Sequence, residues 1–170
     1  VNIERKGVAY SLNSDVELMA GDVVETKQGS SAELAAGDGN TIVLNENTEL
    51  AIQEGSQGGL RLCVNKGGMF ADLQNADDDL VVQFGKNEFS VIGNVLFADV
   101  QSGSDTLYLF FGKGDVKTEN GAQEMVSAGE LIQILTKESE EEEVSVKKLQ
   151  AQALSEFAII QAQKCESKNE

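Results

Sequence analysis

Apolar and polar residues alternate in short runs along most of this chain. Val8-Ala9-Tyr10-Ser11-Leu12 and Val16-Glu17-Leu18 show the pattern first. It returns in Val23-Val24-Glu25-Thr26, Ala32-Glu33-Leu34, Thr41-Ile42-Val43-Leu44 and Thr48-Glu49-Leu50-Ala51-Ile52. A period of two places one set of side chains on a single face of an extended strand. Turn-forming residues separate the runs: Gly21-Asp22, Gln28-Gly29-Ser30, Gly37-Asp38-Gly39-Asn40, Asn45-Glu46-Asn47, the stretch from Glu54 to Gly59, and Gly67-Gly68. Asp38-Gly39 is the strongest of these signals, because glycine supplies the positive φ that a hairpin turn needs. Residues 95–100 and 107–111 are the most apolar runs and are expected at the centre of a sheet. Strands this short, with a turn about every ten residues, predict an all-β fold: a two-sheet sandwich or roll, or a short β-solenoid of many short strands. A parallel α/β fold needs helical stretches between its strands, and residues 1–135 contain none.

The composition changes at Glu138. Glu138 and Glu140 to Glu143 form a charge run that reads as a solvated linker and suits the positive end of a following helix. Residues 144–166 are rich in Ala, Gln, Leu, Lys and Glu and read as that C-terminal α-helix. Val146, Leu149, Ala153, Phe157 and Ile160 step by 3, 4, 4 and 3, which places them on one helix face. The chain thus divides into a β-domain over 1–136, an acidic linker over 137–143 and a helix over 144–166. The helix stripe either packs on the β-domain or serves a partner.

One segment occurs twice. Gly21-Asp22-Val23 leads through Thr26 and Gly29 to Ala36-Gly37, and Gly114-Asp115-Val116 leads through Thr118 and Gly121 to Ala128-Gly129. The outer glycines are 16 residues apart in the first copy and 15 in the second. Turn residues recurring at matched offsets mark a repeated hairpin-like unit rather than a reaction centre.

Charge and chemistry narrow the function. With 13 basic and 29 acidic residues the formal charge is −16. That repels nucleic acid and anionic lipid, which need Lys and Arg to neutralise phosphate, and it suits a cationic partner or a divalent cation. The chain has no histidine, tryptophan or proline. Without histidine there is no Ser-His-Asp or Cys-His catalysis and no His-containing zinc site. Asp77-Asp78-Asp79 offers hard oxygen ligands for Ca²⁺ but lacks EF-hand spacing, and reads as a solvated loop. Carboxylate pairs can hydrolyse glycosides without histidine, yet only Tyr10 and Tyr108 would add to the phenylalanines as a sugar platform. Phe70, Phe84, Phe89, Phe97, Phe110 and Phe111 stand at strand positions and read as core. Cys63, in the apolar run 60–64, reads as a small buried hydrophobe; Cys165 stands in a polar tail, and a bridge between the two is open. No catalytic, cofactor or metal residue is assigned, and the chain reads as a non-enzyme.

The order of signals resembles the FecR-type domain. The resemblance rests on Leu18-Met19-Ala20-Gly21-Asp22-Val23-Val24-Glu25-Thr26 through Gly29 to Leu34, then 37–44 and Asn47-Thr48-Glu49-Leu50, and later on 62–70, 111–116 and 126–130. It spans about residues 5 to 135. One departure stands out: the family usually carries Val-Arg-Gly-Thr where this chain reads Val91-Ile92-Gly93-Asn94. The resemblance implies an extracytoplasmic all-β module, periplasmic or at the cell surface, tethered by a segment upstream of Val1. It further implies a protein partner in the cell envelope and a part in signal relay, with a wall- or polysaccharide-binding or structural envelope module as the alternative. Asp38-Gly39-Asn40 and Asn47-Thr48 are most simply explained as turn residues. Gly39→Val is therefore expected to lower the melting temperature with no ligand present. An unchanged melting temperature together with lost partner binding would make Gly39 a contact residue instead.

Overall fold

A computed structural model describes residues 1–11, 16–36, 39–56, 58–76 and 79–168. The chain begins with β1 (Asn2–Arg5), β2 (Val8–Ser11), β3 (Val23–Glu25), β4 (Ala32–Ala35) and β5 (Thr41–Leu44). It continues through β6 (Glu49–Glu54), β7 (Leu60–Leu73), β8 (Val81–Phe84), β9 (Asn87–Ser90) and β10 (Asn94–Gln101). β11 (Ser104–Phe111), β12 (Lys113–Lys117), β13 (Gln123–Ser127), β14 (Glu130–Thr136) and β15 (Glu142–Lys148) follow, and α1 (Glu156–Lys168) ends the described chain. The all-β expectation with a C-terminal helix holds; Val16-Glu17-Leu18, however, lies outside any strand.

The strands form one large, mostly antiparallel sheet that folds over on itself instead of closing into a barrel. Its two layers share β7. The first half of β7 pairs with β6 and, in parallel, with β8; the second half pairs with β5 and β10. Layer A runs β2-β1-β3-β6-β7-β8-β9-β12-β13 and layer B runs β4-β5-β7-β10-β11-β14-β15. The main core lies between them.

The corner in β7 is written in its side-chain alternation. Leu62 and Val64 face the core before the corner, and Met69, Ala71 and Leu73 face it afterwards. Core-facing positions switch from even to odd numbers, which needs one extra residue, because a slip of one flips every side chain. Asn65 is that residue: Glu49 pairs with Lys66 and Leu50 with Val64, so the register shifts across it. Gly67 then turns the strand at φ +84. A Cβ there would lie 2.7 Å from the Asn47 carbonyl oxygen, and one at Gly68 would lie 2.9 Å from the Phe97 ring.

A third layer covers the outer face of layer B. Phe70, Val95 and Phe97 form a second cluster with Ala158 and Cys165 of α1, flanked by Tyr108, Phe110 and Phe157. Phe97 contacts both Tyr108 and Phe157, with ring centroids 5.7 and 5.8 Å apart.

Two expectations need correction here. The helix starts at Glu156, not at 144: residues 142–148 form β15 and pair with β14 along its whole length. Val144 and Val146 pack on the main core while Glu143 and Lys147 point away, a period-two pattern that competes with the 3.6-residue stripe. An open strand edge beside it decides the contest, since ladder bonds satisfy the backbone. The acidic stretch 137–143 accordingly tightens into a turn, Lys137 N–H to the Glu141 carbonyl at 2.9 Å, and runs into β15. Ser155 sets the true helix start, its hydroxyl accepting the Ala158 N–H at 3.3 Å. Phe111 is the second correction: it is 54% exposed. The register of β11 shifts between Leu109 and Phe111, so Phe110 is the bulged residue and Phe111 falls beyond the helix-covered cluster.

Gly67→Ala is expected to cost about 1–3 kcal/mol from the left-handed backbone alone, and more because Asn47 and Thr48 stand against it. Urea unfolding measures this. A change below about 0.5 kcal/mol, the usual spread for surface substitutions, would mean that the β7 corner does not depend on glycine.

Candidate functional site

The two Gly-Asp-Val units fold differently. Asp22 is fully buried. Both of its carboxylate oxygens accept from the Arg5 guanidinium, Nε to Oδ1 at 2.7 Å and Nη2 to Oδ2 at 2.6 Å, and Oδ2 also accepts the Met19 N–H at 2.9 Å. The guanidinium hydrogen bonds hold the Asp22 carboxyl below the usual carboxylate range, against the opposing effect of burial. A planar guanidinium meeting a carboxylate through two parallel bonds is the strongest common form of this pair. The same Nη2 donates to the Glu17 carbonyl at 2.8 Å, so one arginine ties β1, the segment 16–19 and the start of β3 together. Asp115, the equivalent aspartate of the second unit, is exposed on β12.

The first unit is not a hairpin. β3 enters layer A, beside β1 and β6, while β4 enters layer B beside β5. The segment crosses between layers at the top of the core. The second unit does close as the hairpin β12–β13, from Lys113 opposite Ser127 to Lys117 opposite Gln123. The Thr118 hydroxyl accepts the Ala122 N–H at 3.2 Å at its turn. Matched turn residues therefore serve two topologies.

The remaining polar motif residues brace the β7 corner. The Thr26 hydroxyl donates to the Asn45 carbonyl at 2.5 Å and accepts the Thr48 N–H at 3.0 Å; the Thr48 hydroxyl accepts the Gly68 N–H at 3.0 Å. Thr26 and Thr48 are each 1% exposed, and buried hydroxyls must be bonded in this way. Asn94, at 0% exposure, does the same at the other end of layer B. Its Oδ1 accepts the Ile92 N–H at 2.7 Å and its Nδ2 donates to the Phe111 and Lys113 carbonyls at 3.2 and 3.3 Å. Ile92, which stands where the family usually has arginine, is 68% exposed.

Of the candidate ligand residues, Asp38, Asp77 and Asp78 lie outside the described residues. Asp79 lines an open cavity of about 670 Å³ with Asn40, Asn75, Leu62 and Leu80. Gly39 has φ +80, as a turn residue needs, and Asn40 Oδ1 accepts the Asn75 N–H at 3.1 Å, a bond that ties this turn to a loop 35 residues further along the chain. Among the described residues, no group of three or more carboxylates and thiols is placed to hold a metal ion. Cys63 and Cys165 are both buried and unbonded to each other. Cys165 is thus not a tail residue: burial first, and then its contact with Asp72 Oδ2 at 3.2 Å, push its thiol up to about 11.

Burial pushes the Asp105 carboxyl up, to about 6, against the opposing hydrogen bond from Asn87 Nδ2 at 3.0 Å. It reaches from β11 in layer B to β9 in layer A, with Gly85 packed directly against it. Nothing in its local sequence, Gly103-Ser104-Asp105-Thr106, marks it, because its partner is 18 residues away in the opposite layer.

What remains free is surface. Nine large apolar side chains are exposed among the described residues, and four of them, Val8, Tyr10, Val16 and Met19, fall within residues 8–19. The arrangement defines a class: an all-β module folded around one bent strand, its motif residues committed to internal bonds and its distinctive features on its surface.

Comparison with known proteins agrees. The FecR protein family matches residues 22–117, more than half of the chain, and the chain belongs to that family. The match begins at Asp22 and covers the β7 corner and the Asn94 corner, while Arg5, Glu17 and Met19 of the clamp precede it. Two crystal structures of a candidate anti-sigma factor from Parabacteroides distasonis share the fold, with TM-scores of 0.62 and 0.64 at 15% and 16% identity. Each alignment covers 76% of this chain and 61% of that one, so the chain spans about three-fifths of the length of the structures it matches. A search of curated proteins found no match.

Asp22 and Asp105 make opposite pH predictions. A lowered carboxyl adds stability above its ordinary value near pH 4, and that stability is lost as pH falls through the folded value. A raised carboxyl adds stability below pH 4 that is lost as pH rises through about 6. Asp22→Asn is therefore expected to lower the melting temperature at pH 7, and the deficit should shrink in acid. Asp105→Asn is expected to stabilise at pH 7 by on the order of 2 kcal/mol and to match the parent near pH 4. Thermal melts from pH 4 to 7 test Asp105, and melts carried below pH 4 test Asp22. An Asp105→Asn gain that does not change with pH would remove Asp105 as the titrating group.

Proposed function

We propose that this chain is a non-enzymatic, extracytoplasmic FecR module that works through protein contacts as a part of a signal relay. One observation carries the reading: the FecR match falls on residues whose polar groups are spent inside the fold. Asp22, Thr26, Thr48 and Asn94 hold strands, which leaves function to exposed surface. The shared fold with a candidate anti-sigma factor favours a regulatory role. The charge of −16 favours a partner with a cationic contact face. No helix among the described residues is long and apolar enough to cross a membrane; a tether in a segment preceding Val1 is part of this proposal.

The reading is tested in cells that express the protein from its native gene. A fusion to alkaline phosphatase, which folds only outside the cytoplasm, is expected to be active. A photo-crosslinker at Tyr10 or Phe111 is expected to trap a protein, and loss of the gene to change transcription of a defined set of genes. Phosphatase inactivity would overturn the location. Saturable binding to purified peptidoglycan, with crosslinks to glycan alone, would instead make the chain a wall-binding module.

A further inference from the structure

The edges of the sheet are not equally protected. An edge strand exposes a row of unpaired backbone donors and acceptors, and proteins blunt such edges with charge. Among the described residues, four strands have one neighbour each: β2, β4, β13 and β15. β15 carries Glu142, Glu143, Lys147 and Lys148; β4 carries Glu33; β13 carries Glu124. β2 reads Val8-Ala9-Tyr10-Ser11, without a charge, and all four residues are exposed.

The surroundings of β2 add apolar surface. Val8 and Tyr10, two apart and so on one face, are each 52% exposed, and Val16 and Met19 are each 50% exposed. The segment that carries Val16 and Met19 is held beside β1 by Arg5 and Asp22, through the Glu17 carbonyl and the Met19 N–H. The clamp thus fixes the segment bearing Val16 and Met19 to β1, the same strand on which the edge strand β2 with Val8 and Tyr10 is paired. Exposed apolar side chains concentrated in one region mark an interaction site.

We propose that β2 is a docking edge that accepts an extended segment of a partner protein as an added strand, with apolar side chains alternating with lysine or arginine. The bare backbone edge selects a strand, since added-strand binding takes its affinity from main-chain bonds and its specificity from alternate side chains. Charge selects its sign. Glu4 lies opposite Ala9 and is exposed, as is Glu17; Arg5 is committed to Asp22, and Lys6 sits in the turn. A second copy of this chain would bring another −16 to the same edge, which like-charge repulsion opposes. The proposal rests on the protein-contact reading above and names its site.

The probe is a capped heptapeptide that alternates valine with lysine, compared with a twin bearing glutamate for lysine, titrated into ¹⁵N-labelled protein. Saturable amide shifts confined to β2 and residues 16–19 are expected, with the glutamate twin at least about tenfold weaker. Val8→Lys and Tyr10→Lys, both at exposed positions, are expected to keep the melting temperature and abolish the shifts. The control Glu124→Gln, on the distant β13 edge, is expected to leave them unchanged. The proposal is overturned by shifts that map to β4, β13 or β15, by equal affinity for the two peptides, by binding that survives Tyr10→Lys, or by the absence of a saturable shift. Sedimentation showing a dimer that Tyr10→Lys dissociates would give the edge to a second copy and also overturn it. If the peptide fails while a crosslinker at Phe111 still traps a protein, the edge falls and the protein-contact reading stands.

Discussion

Everything in this molecule hangs on one strand changing layers. β7 is 14 residues long and has neighbours in both halves of the folded sheet. The core forms because its two halves are held face to face. A regular pleated strand cannot turn so sharply, so the corner combines an extra residue at Asn65, a left-handed glycine at Gly67 and a close approach of Gly68 to Phe97. Corners where a strand switches sheets are built from bulges and bends of this type. The hydroxyls of Thr26 and Thr48 then satisfy the backbone groups that the turn would leave bare. A buried unpaired donor costs about 1–3 kcal/mol, so these two threonines stabilise the corner by removing that penalty.

The Asp22–Arg5 pair has a different role. It is half-sheltered: the carboxylate is inaccessible while the arginine side chain keeps 29% of its exposure. The pair fixes the start of β3, the segment leading to it and β1 in one place. It positions the least protected part of the surface instead of filling the core. Scaffold and contact surface are therefore coupled. Asp22, where the family match begins, adjoins the region with the most exposed apolar side chains.

Much of this was legible along the chain. Period-two alternation located most strands, and the parity switch between Val64 and Met69 is itself a readable mark of the β7 corner. The Gly-Asp-Val repeat was also visible, but its two copies proved to be a crossover and a hairpin. Turn residues report local φ, and local φ does not say which sheet the next strand joins. The same limit explains 144–148, where Val146 fits a helix stripe with Leu149 and a strand face with Val144 until the edge of β14 is available. Cys165 looked like tail chemistry because its partner Asp72 is 93 residues away. Asp105 was invisible for the same reason: its environment is assembled from opposite layers.

The sequence by itself determined the class of this protein. Alternation, glycine spacing and the lack of histidine and proline are local properties, and local properties decide strands, turns and the chemistry that is ruled out. Only the tertiary structure decided which residues brace and which are presented. It buried Asp22 while exposing Asp115, packed Phe110 against the helix-covered cluster while exposing Phe111, and left β2 as the edge without a charge. Burial and edge position depend on which strands become neighbours across long separations, and that is settled by the packing of two layers around one bent strand.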